Sequence, residues 1–254
     1  MRDVAERVLP RTAWHAAEVI EIRRETPTAA RIRLDVAGWP GNLPGQHLDV
    51  QLTAPDGYTA TRSYSIASSG EGAEVVLAVA RVPDGEVSPF LIDELRAGDR
   101  LEVHGPLGAY FVWHASVDGS AGRPVQLIAG GSGVVPLYAI AQAHVDAGDA
   151  TPFRLLYSVR TPEDVFFAEE LAAAAAGPVP FTADYVYTRR APAGAEAPVG
   201  RITRERVAAT TLAPEVEPLV YVCGATAFVE QVASWLVDLG HDAREIRTER
   251  YGGT

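Results

Sequence analysis

Residues 61–70, TRSYSIASSG, set an arginine, a tyrosine and four serines between two apolar runs. A strand needs none of these groups, whereas a bound molecule with a charge, a ring and polar edges could use them all. A second stretch, LIAGGSGVVPLYAI, joins an apolar strand pattern to a helix pattern. Gly131, Gly133 and Pro136 give G-x-G-x-x-P, with Ser132 inside the turn. Glycines there let backbone approach a pyrophosphate, and the following helix N-terminus offers free N–H groups to an anion. Pro136 suits the first helical turn, where its missing N–H is not needed. The plain alternative is a tight strand–helix turn without a ligand. In a βαβ setting the pattern points to a dinucleotide phosphate. The next strand ends LLYSVRTPED, so its first polar side chains are Ser158 and Arg160, with Glu163 and Asp164 further on. Arg189 and Arg190 end the strand after that, and Arg201 follows its loop. Arginines suit a 2′-phosphate better than a bare ribose, which favours NADPH over NADH. The alternative is arginines solvated at surface turns.

Other chemistries find little support. Six histidines at 15, 47, 104, 114, 144 and 241 lack H-E-x-x-H spacing, and the GGSGV turn is not a G-x-S-x-G nucleophile elbow. Cys223 is the only cysteine, which excludes internal disulfides, cysteine-rich zinc sites and a four-cysteine iron–sulfur cluster within this sequence. No metal site is expected. A net charge of −11 argues against general nucleic-acid affinity. No apolar run reaches the roughly 20 residues that span a bilayer, and the N-terminal residues lack a signal-peptide core. The expected location is the cytoplasm, with no membrane partner.

The elements that must position these residues fall into two halves of a 254-residue chain. Six strand-like runs, at 16–25, 29–38, 46–54, 62–69, 73–82 and 99–108, predict an antiparallel β-barrel over 16–118. A helix is predicted over 88–98, with Ser88 as N-cap and Gly98 as stop. Beyond a small-residue linker at 116–124, strands alternate with helices, predicting a doubly wound, parallel α/β domain over 124–254. Its helices are expected at 135–148, 162–177, 203–212 and 225–240. The loop at 189–200 is expected to be mobile. Residues 1–15 are expected to form a flexible arm, with Trp14 packing on the barrel.

Six motifs in this order resemble the ferredoxin–NADP reductase family of flavoproteins. They are Pro44-Gly45-Gln46, Arg62-Ser63-Tyr64-Ser65, Gly85-Glu86-Val87-Ser88, Gly105-Pro106-Leu107-Gly108, Gly130 to Pro136, and Cys223-Gly224 with Phe228-Val229-Glu230. The match runs from about Ala16 over almost the whole chain. The resemblance implies FAD, rather than FMN, on the first domain. It gives Arg62 the FAD pyrophosphate, Tyr64 the isoalloxazine face and Ser65 a hydrogen bond near flavin N5. Ser63 lies on the other strand face. Gly85, Val87 and Ser88 would meet the same pyrophosphate, and Arg81 is a candidate contact to the ring or phosphates. Cys223 and Gly224 would line the nicotinamide site, with Cys223 orienting the ring rather than reacting. Glu249 and Tyr251 resemble the family's terminal acid and aromatic, the acid linked to proton and electron exchange and the aromatic to stacking on flavin. Here three residues follow Tyr251, a departure from the plant-type pattern.

The activity implied is hydride transfer from NAD(P)H to FAD, followed by electron delivery to a separate acceptor protein such as a ferredoxin, flavodoxin or oxygenase component. Arg23, Arg24, Arg31 and Arg33 form a candidate docking patch for an acidic acceptor, with a solvated strand edge as the alternative. Rival readings are a reductase of diffusible flavin and a non-catalytic electron-relay or regulatory subunit.

Overall fold

The computed structural model describes residues 12–116, 121–195 and 198–251. The first half folds as six antiparallel strands: β1 (Ala13–Thr26), β2 (Ala29–Val36), β3 (His47–Thr53), β4 (Thr59–Ser65), β5 (Glu74–Ala80) and β6 (Arg100–Leu107). Their order is β4-β3-β6-β1-β2-β5. A single bridge, Ile66 to Leu77, joins the outer strands β4 and β5, so the sheet closes on itself at one end. Period-two alternation sends Leu48 and Val50, Leu101 and Val103, and Ile32 and Leu34 into the barrel core. Polar neighbours line the outer face. There Ser63 donates to Asp49 at 2.5 Å. β1 begins at Ala13, inside the expected arm, while residues 1–11 lie outside the described residues. Trp14 packs against His104 in a tilted pair, ring centres 5.1 Å apart, and stays 53% exposed.

The helix expected over 88–98 is shorter and differently capped. α1 (Val87–Pro89) runs into a single wide turn, Phe90–Glu94, and the chain extends at Leu95. Glu86, not Ser88, precedes the helix. The Ser88 hydroxyl turns back to accept from the Val82 N–H at 3.0 Å, so it braces the preceding turn instead of capping.

The second half is a five-stranded parallel sheet, β11-β10-β7-β8-β9, made of β7 (Val125–Gly130), β8 (Phe153–Val159), β9 (Phe181–Tyr187), β10 (Leu219–Ala225) and β11 (Ile246–Tyr251). Helices α2 (Val134–Ala147), α3 (Ala168–Ala176), α4 (Arg204–Thr210) and α5 (Thr226–Asp238) connect them. α2 is buried almost all round because it packs on the sheet and also faces the barrel. The helix expected from 162 is broken. Pro162–Asp164 form a short 3-10 turn, Phe167 takes a left-handed φ of +55°, and only then does α3 begin. Phe166 and Phe167 are buried, so this break is packed. Of the expected linker, 117–120 lie outside the described residues. In the 189–200 loop, 196–197 do too.

The halves share one apolar cluster. Ala67, Phe111 and Trp113 from the barrel side pack with Val134, Leu137, Ile140 and Phe153. Gly45 shows how closely they meet, since a Cβ there would lie 3.3 Å from Ile140 Cδ1 of α2, and 2.0 Å from the Phe111 carbonyl oxygen on its own side. Among the described residues no helix is long and apolar enough to cross a membrane.

Candidate functional site

The parallel sheet starts at its middle strand. From β7 the chain adds β8 and β9 on one side, then returns to add β10 and β11 on the other. The loops after β7 and β10 therefore diverge, opening a crevice at the carboxyl ends of the strands, where α/β sheets hold ligands. The glycine turn and Cys223-Gly224 lie side by side there. Gly131–Gly133 form a 3-10 turn leading into α2, and Gly131 has φ +55°. Two of the glycines are also required by packing. A Cβ on Gly133 would lie 2.3 Å from the Cys223 carbonyl oxygen, and one on Gly130 would lie 2.8 Å from the Phe228 ring. Pro136 is buried in the first turn of α2.

Cys223 is 2% exposed. Burial, with the nearby Glu249 carboxylate, pushes its thiol well above the ordinary range, so it stays protonated and unreactive. Glu249 pairs with Cys223 across β10 and β11. Its Oε1 lies 3.4 Å from His47 Nδ1 on β3, across the domain junction, while its Oε2 is buried and without a partner among the described residues. His47 stands opposite Ser65 in the β3–β4 pairing, so Ser65, His47, Glu249 and Cys223 form one line between the domains. His47 was not among the residues expected from sequence. The available signal was its place directly after Pro44-Gly45-Gln46.

Strand alternation divides the opening motif. Ser63 and Ser65 share the face of Asp49 and His47, while Arg62 and Tyr64 share the face of Ala60. Tyr64 packs against the barrel core, and burial, opposed by Arg62, pushes its phenol up to about 12. Arg62 is exposed, donates to the Thr61 carbonyl at 2.8 Å and forms no ion pair among the described residues. α1 lies against β4, and the two are tied where the Tyr58 hydroxyl donates to Glu86 at 3.1 Å. Arg62, Gly85, Val87 and Ser88 therefore flank one open end of the β4–β5 seam. Arg81 sits just past β5 and forms an ion pair with Asp93, so it is committed to a carboxylate.

At the far end of the crevice, the Arg189 and Arg190 N–H groups both donate to the Arg160 carbonyl, at 2.9 and 3.2 Å. Gly200 N–H donates to the Tyr187 carbonyl, which brings Arg201 to the same rim. Arg190 pairs with Glu163; Arg160, Arg189 and Arg201 form no ion pair among the described residues. Ser158 is buried at the end of β8. Tyr251 lies over the glycine turn, where its hydroxyl donates to the Gly130 carbonyl at 2.7 Å. Burial of that hydroxyl raises its pKa. The resemblance gave this ring to the flavin; here it rests on the nucleotide domain.

The expected docking patch is not a free cationic surface. The Arg31 side chain is only 11% exposed and is held by Glu25 at 2.6 Å and Glu170 at 2.5 Å. Arg33 lies between Glu21 and Glu74, Arg23 reaches Glu170, and Arg24 donates to the Pro27 carbonyl. The physical reason is that the β1–β2 hairpin packs against the start of α3 and brings acids with it.

An open barrel seam flanked by an unpaired arginine and a helix start fits a diphosphate with a ring system. The orphaned Glu249 oxygen marks polar capacity at the junction. The glycine crevice fits a second dinucleotide. The family model of the oxidoreductase FAD-binding domain matches residues 18–112, and that of the oxidoreductase NAD-binding domain matches 127–234. Fold and matches together define a two-domain oxidoreductase that binds FAD and a pyridine nucleotide. The chain belongs to the ferredoxin–NADP reductase family of flavoproteins. It is 33% identical over 150 residues to methane monooxygenase component C of Methylosinus trichosporium, covering 59% of this chain and 40% of that one. It is 28% identical over 244 residues to the toluate 1,2-dioxygenase electron transfer component of Pseudomonas putida, covering 95% and 69%. A crystal structure of a cytochrome P450 reductase from Amycolatopsis superposes with a TM-score of 0.82 at 26% identity, covering 98% and 73%. The chain thus spans about half the length of several curated relatives it matches.

Proposed function

We propose that this chain is a cytoplasmic reductase module that takes hydride from NADPH onto FAD and passes electrons to a separate acceptor protein. The observation that carries this is the line Ser65–His47–Glu249–Cys223, which joins the flavin-domain face to the nucleotide crevice at one junction. Toluate and naphthalene dioxygenase relatives are named electron transfer and reductase components, which supports the separate acceptor.

Bound FAD supplies a two-electron acceptor that can release electrons singly. The chain's own part is to bind and align. Arg62 and the backbone of Gly85, Val87 and Ser88 hold the diphosphate, and Tyr64 covers the ring. Ser65 hydrogen-bonds the ring edge, with Ser63 occupied locally by Asp49. Gly131, Ser132, Gly133 and Pro136 shape the nucleotide phosphate turn, and Ser158 lines the ribose side. Arg160, Arg189 and Arg201 supply positive charge for a 2′-phosphate, which supports NADPH over NADH. Cys223 and Gly224 form an uncharged wall for nicotinamide, so the buried thiol orients and does not attack. Tyr251 must leave the glycine turn for the coenzyme to settle. Glu249, with His47 as its link toward solvent, holds a proton position at the junction. Alignment of two rings contributes up to roughly 7–11 kcal/mol in favourable cases.

The test is a visible spectrum of the purified protein, followed by anaerobic addition of NADPH or NADH. A flavin spectrum that bleaches faster with NADPH supports the proposal. A colourless protein that cannot be reconstituted with FAD overturns it. Flavin lost on gel filtration, with turnover restored by added flavin, would instead indicate a reductase of diffusible flavin.

A further inference from the structure

The β1–β2 hairpin and the start of α3 are joined by an ion cluster that the proposed chemistry does not use. Arg31 is gripped on two edges, by Glu25 through Nε and by Glu170 through an Nη. The other oxygen of Glu25 accepts from the backbone N–H of Phe167 at 2.5 Å. The Arg31 guanidinium lies over the Phe167 ring, 4.5 Å from its centre. The far face of that ring stacks on Tyr138 of α2 at 3.8 Å and 5°. Phe167 is in the left-handed region at φ +55°, a conformation a phenylalanine adopts only when its surroundings impose it. Both charged anchors are largely withdrawn from water, with side chains 11% and 5% exposed for Arg31 and Glu25. Burial opposes the Arg31 charge, yet Glu25 and Glu170 more than offset it, and Arg31 stays cationic. A surface ion pair could break at little cost, whereas removing one partner of this cluster leaves a charge stranded.

We propose that Glu25, Arg31, Glu170 and Phe167 form a clasp that sets the angle between the flavin-binding barrel and the nucleotide-binding sheet. Glu25 and Arg31 are then positioning residues for hydride transfer, which they reach only through the two domains. The cluster ties a barrel hairpin to α3 and, through Tyr138, to α2, whose first turn carries the glycine crevice. A change of angle at the clasp therefore shifts the nucleotide site against the flavin site. This inference rests on the reductase reading for its kinetic consequence, but its structural content does not.

The test uses the holoprotein and its Arg31→Met variant, with Glu25→Gln as a second variant should the first fail to fold or retain FAD. Spin labels at Glu71→Cys and Glu215→Cys, both exposed positions on opposite domains, report the interdomain distance, and buried Cys223 stays unlabelled. Anaerobic stopped-flow gives the limiting rate of flavin bleaching and the NADPH concentration that half-saturates it. The expected result is a broadened or displaced distance distribution. The limiting rate should fall about tenfold or more, since misplacement by about 1 Å costs up to roughly 100-fold. Half-saturation should change far less. A variant with the parent distance distribution and limiting rate overturns the clasp. A parent holoprotein that does not bleach overturns the reductase reading alone, and the distance measurement still decides the clasp.

Discussion

Among the described residues Arg62 sits exposed on β4 with no acid to hold it, while neighbouring arginines at 31, 33 and 81 are all paired. Charge-assisted hydrogen bonds contribute about 1.5–3 kcal/mol each, so Arg62→Ala should weaken FAD binding roughly 10- to 100-fold. Equilibrium titration of apoprotein by flavin fluorescence checks this; unchanged affinity would remove Arg62 from the site. Acidification should act elsewhere. His144 is buried, stacked on Phe153 at 4.0 Å, with Nε2 against the Thr151 carbonyl. Burial lowers its pKa below the ordinary 6.5. The unfolded chain then takes up the proton first, so stability is present above pH 6.5 and is lost as pH falls through the folded value. The urea midpoint should drop from pH 7.5 to 5.5, and less so in His144→Gln. Arg62, Tyr64 and Cys223 were legible as residue types in ordered motifs. The His47–Glu249 contact was not, because it joins strands from different domains and leaves no local spacing to read. The same blindness made Arg31 look like a free surface charge.

At the scale of elements, the eleven strands of the described residues follow from alternation and from apolar runs, because those patterns are local. Two helices were misread for identifiable reasons. The polar 162–164 turn and the alanine run share helical composition, yet buried Phe166 and Phe167 interrupt them, and the Tyr157 hydroxyl and Glu25 take their N–H groups. Ser88 has an N-cap's identity but spends its hydroxyl on Val82. The glycine turn carries a sharper lesson. Gly130 is glycine because Phe228 lies on it, quite apart from any phosphate. Gly130→Ala should therefore destabilise the fold by about 1–3 kcal/mol through overpacking, and by clearly less in a Phe228→Ala background. A double-mutant cycle on denaturant unfolding reads this coupling. Additive effects would mean that the turn, not the ring, sets the requirement.

For the molecule as a whole, the decisive quantity is a net charge of −11, with Arg23, Arg31 and Arg33 of the β1–β2 hairpin paired internally. Electrostatic steering should then favour cationic acceptors. Cytochrome c should accept electrons faster than ferricyanide at low salt. The gap should narrow as the Debye length falls from about 30 Å to about 8 Å at physiological ionic strength. An acceptor preference unmoved by salt would mean that docking is governed by packing. The order of the two domains was legible because the hydrophobic period changes near the linker. How the domains meet was not, since it depends on shape: Gly45 against Ile140, Arg31 against Phe167.

β4 and β5 are joined by a single bridge at Ile66, and Arg62 and α1 flank the part left open. A flavin seated there, as proposed, would act as a missing staple, adding about 2.7 kcal/mol at one hundred times its dissociation constant. Protein made without it should be the more easily unzipped and digested, as limited proteolysis with and without FAD would read. A cell's riboflavin supply would then govern how much of this protein survives after synthesis, and not only what share of it is active. Starvation for the vitamin would deplete the polypeptide itself.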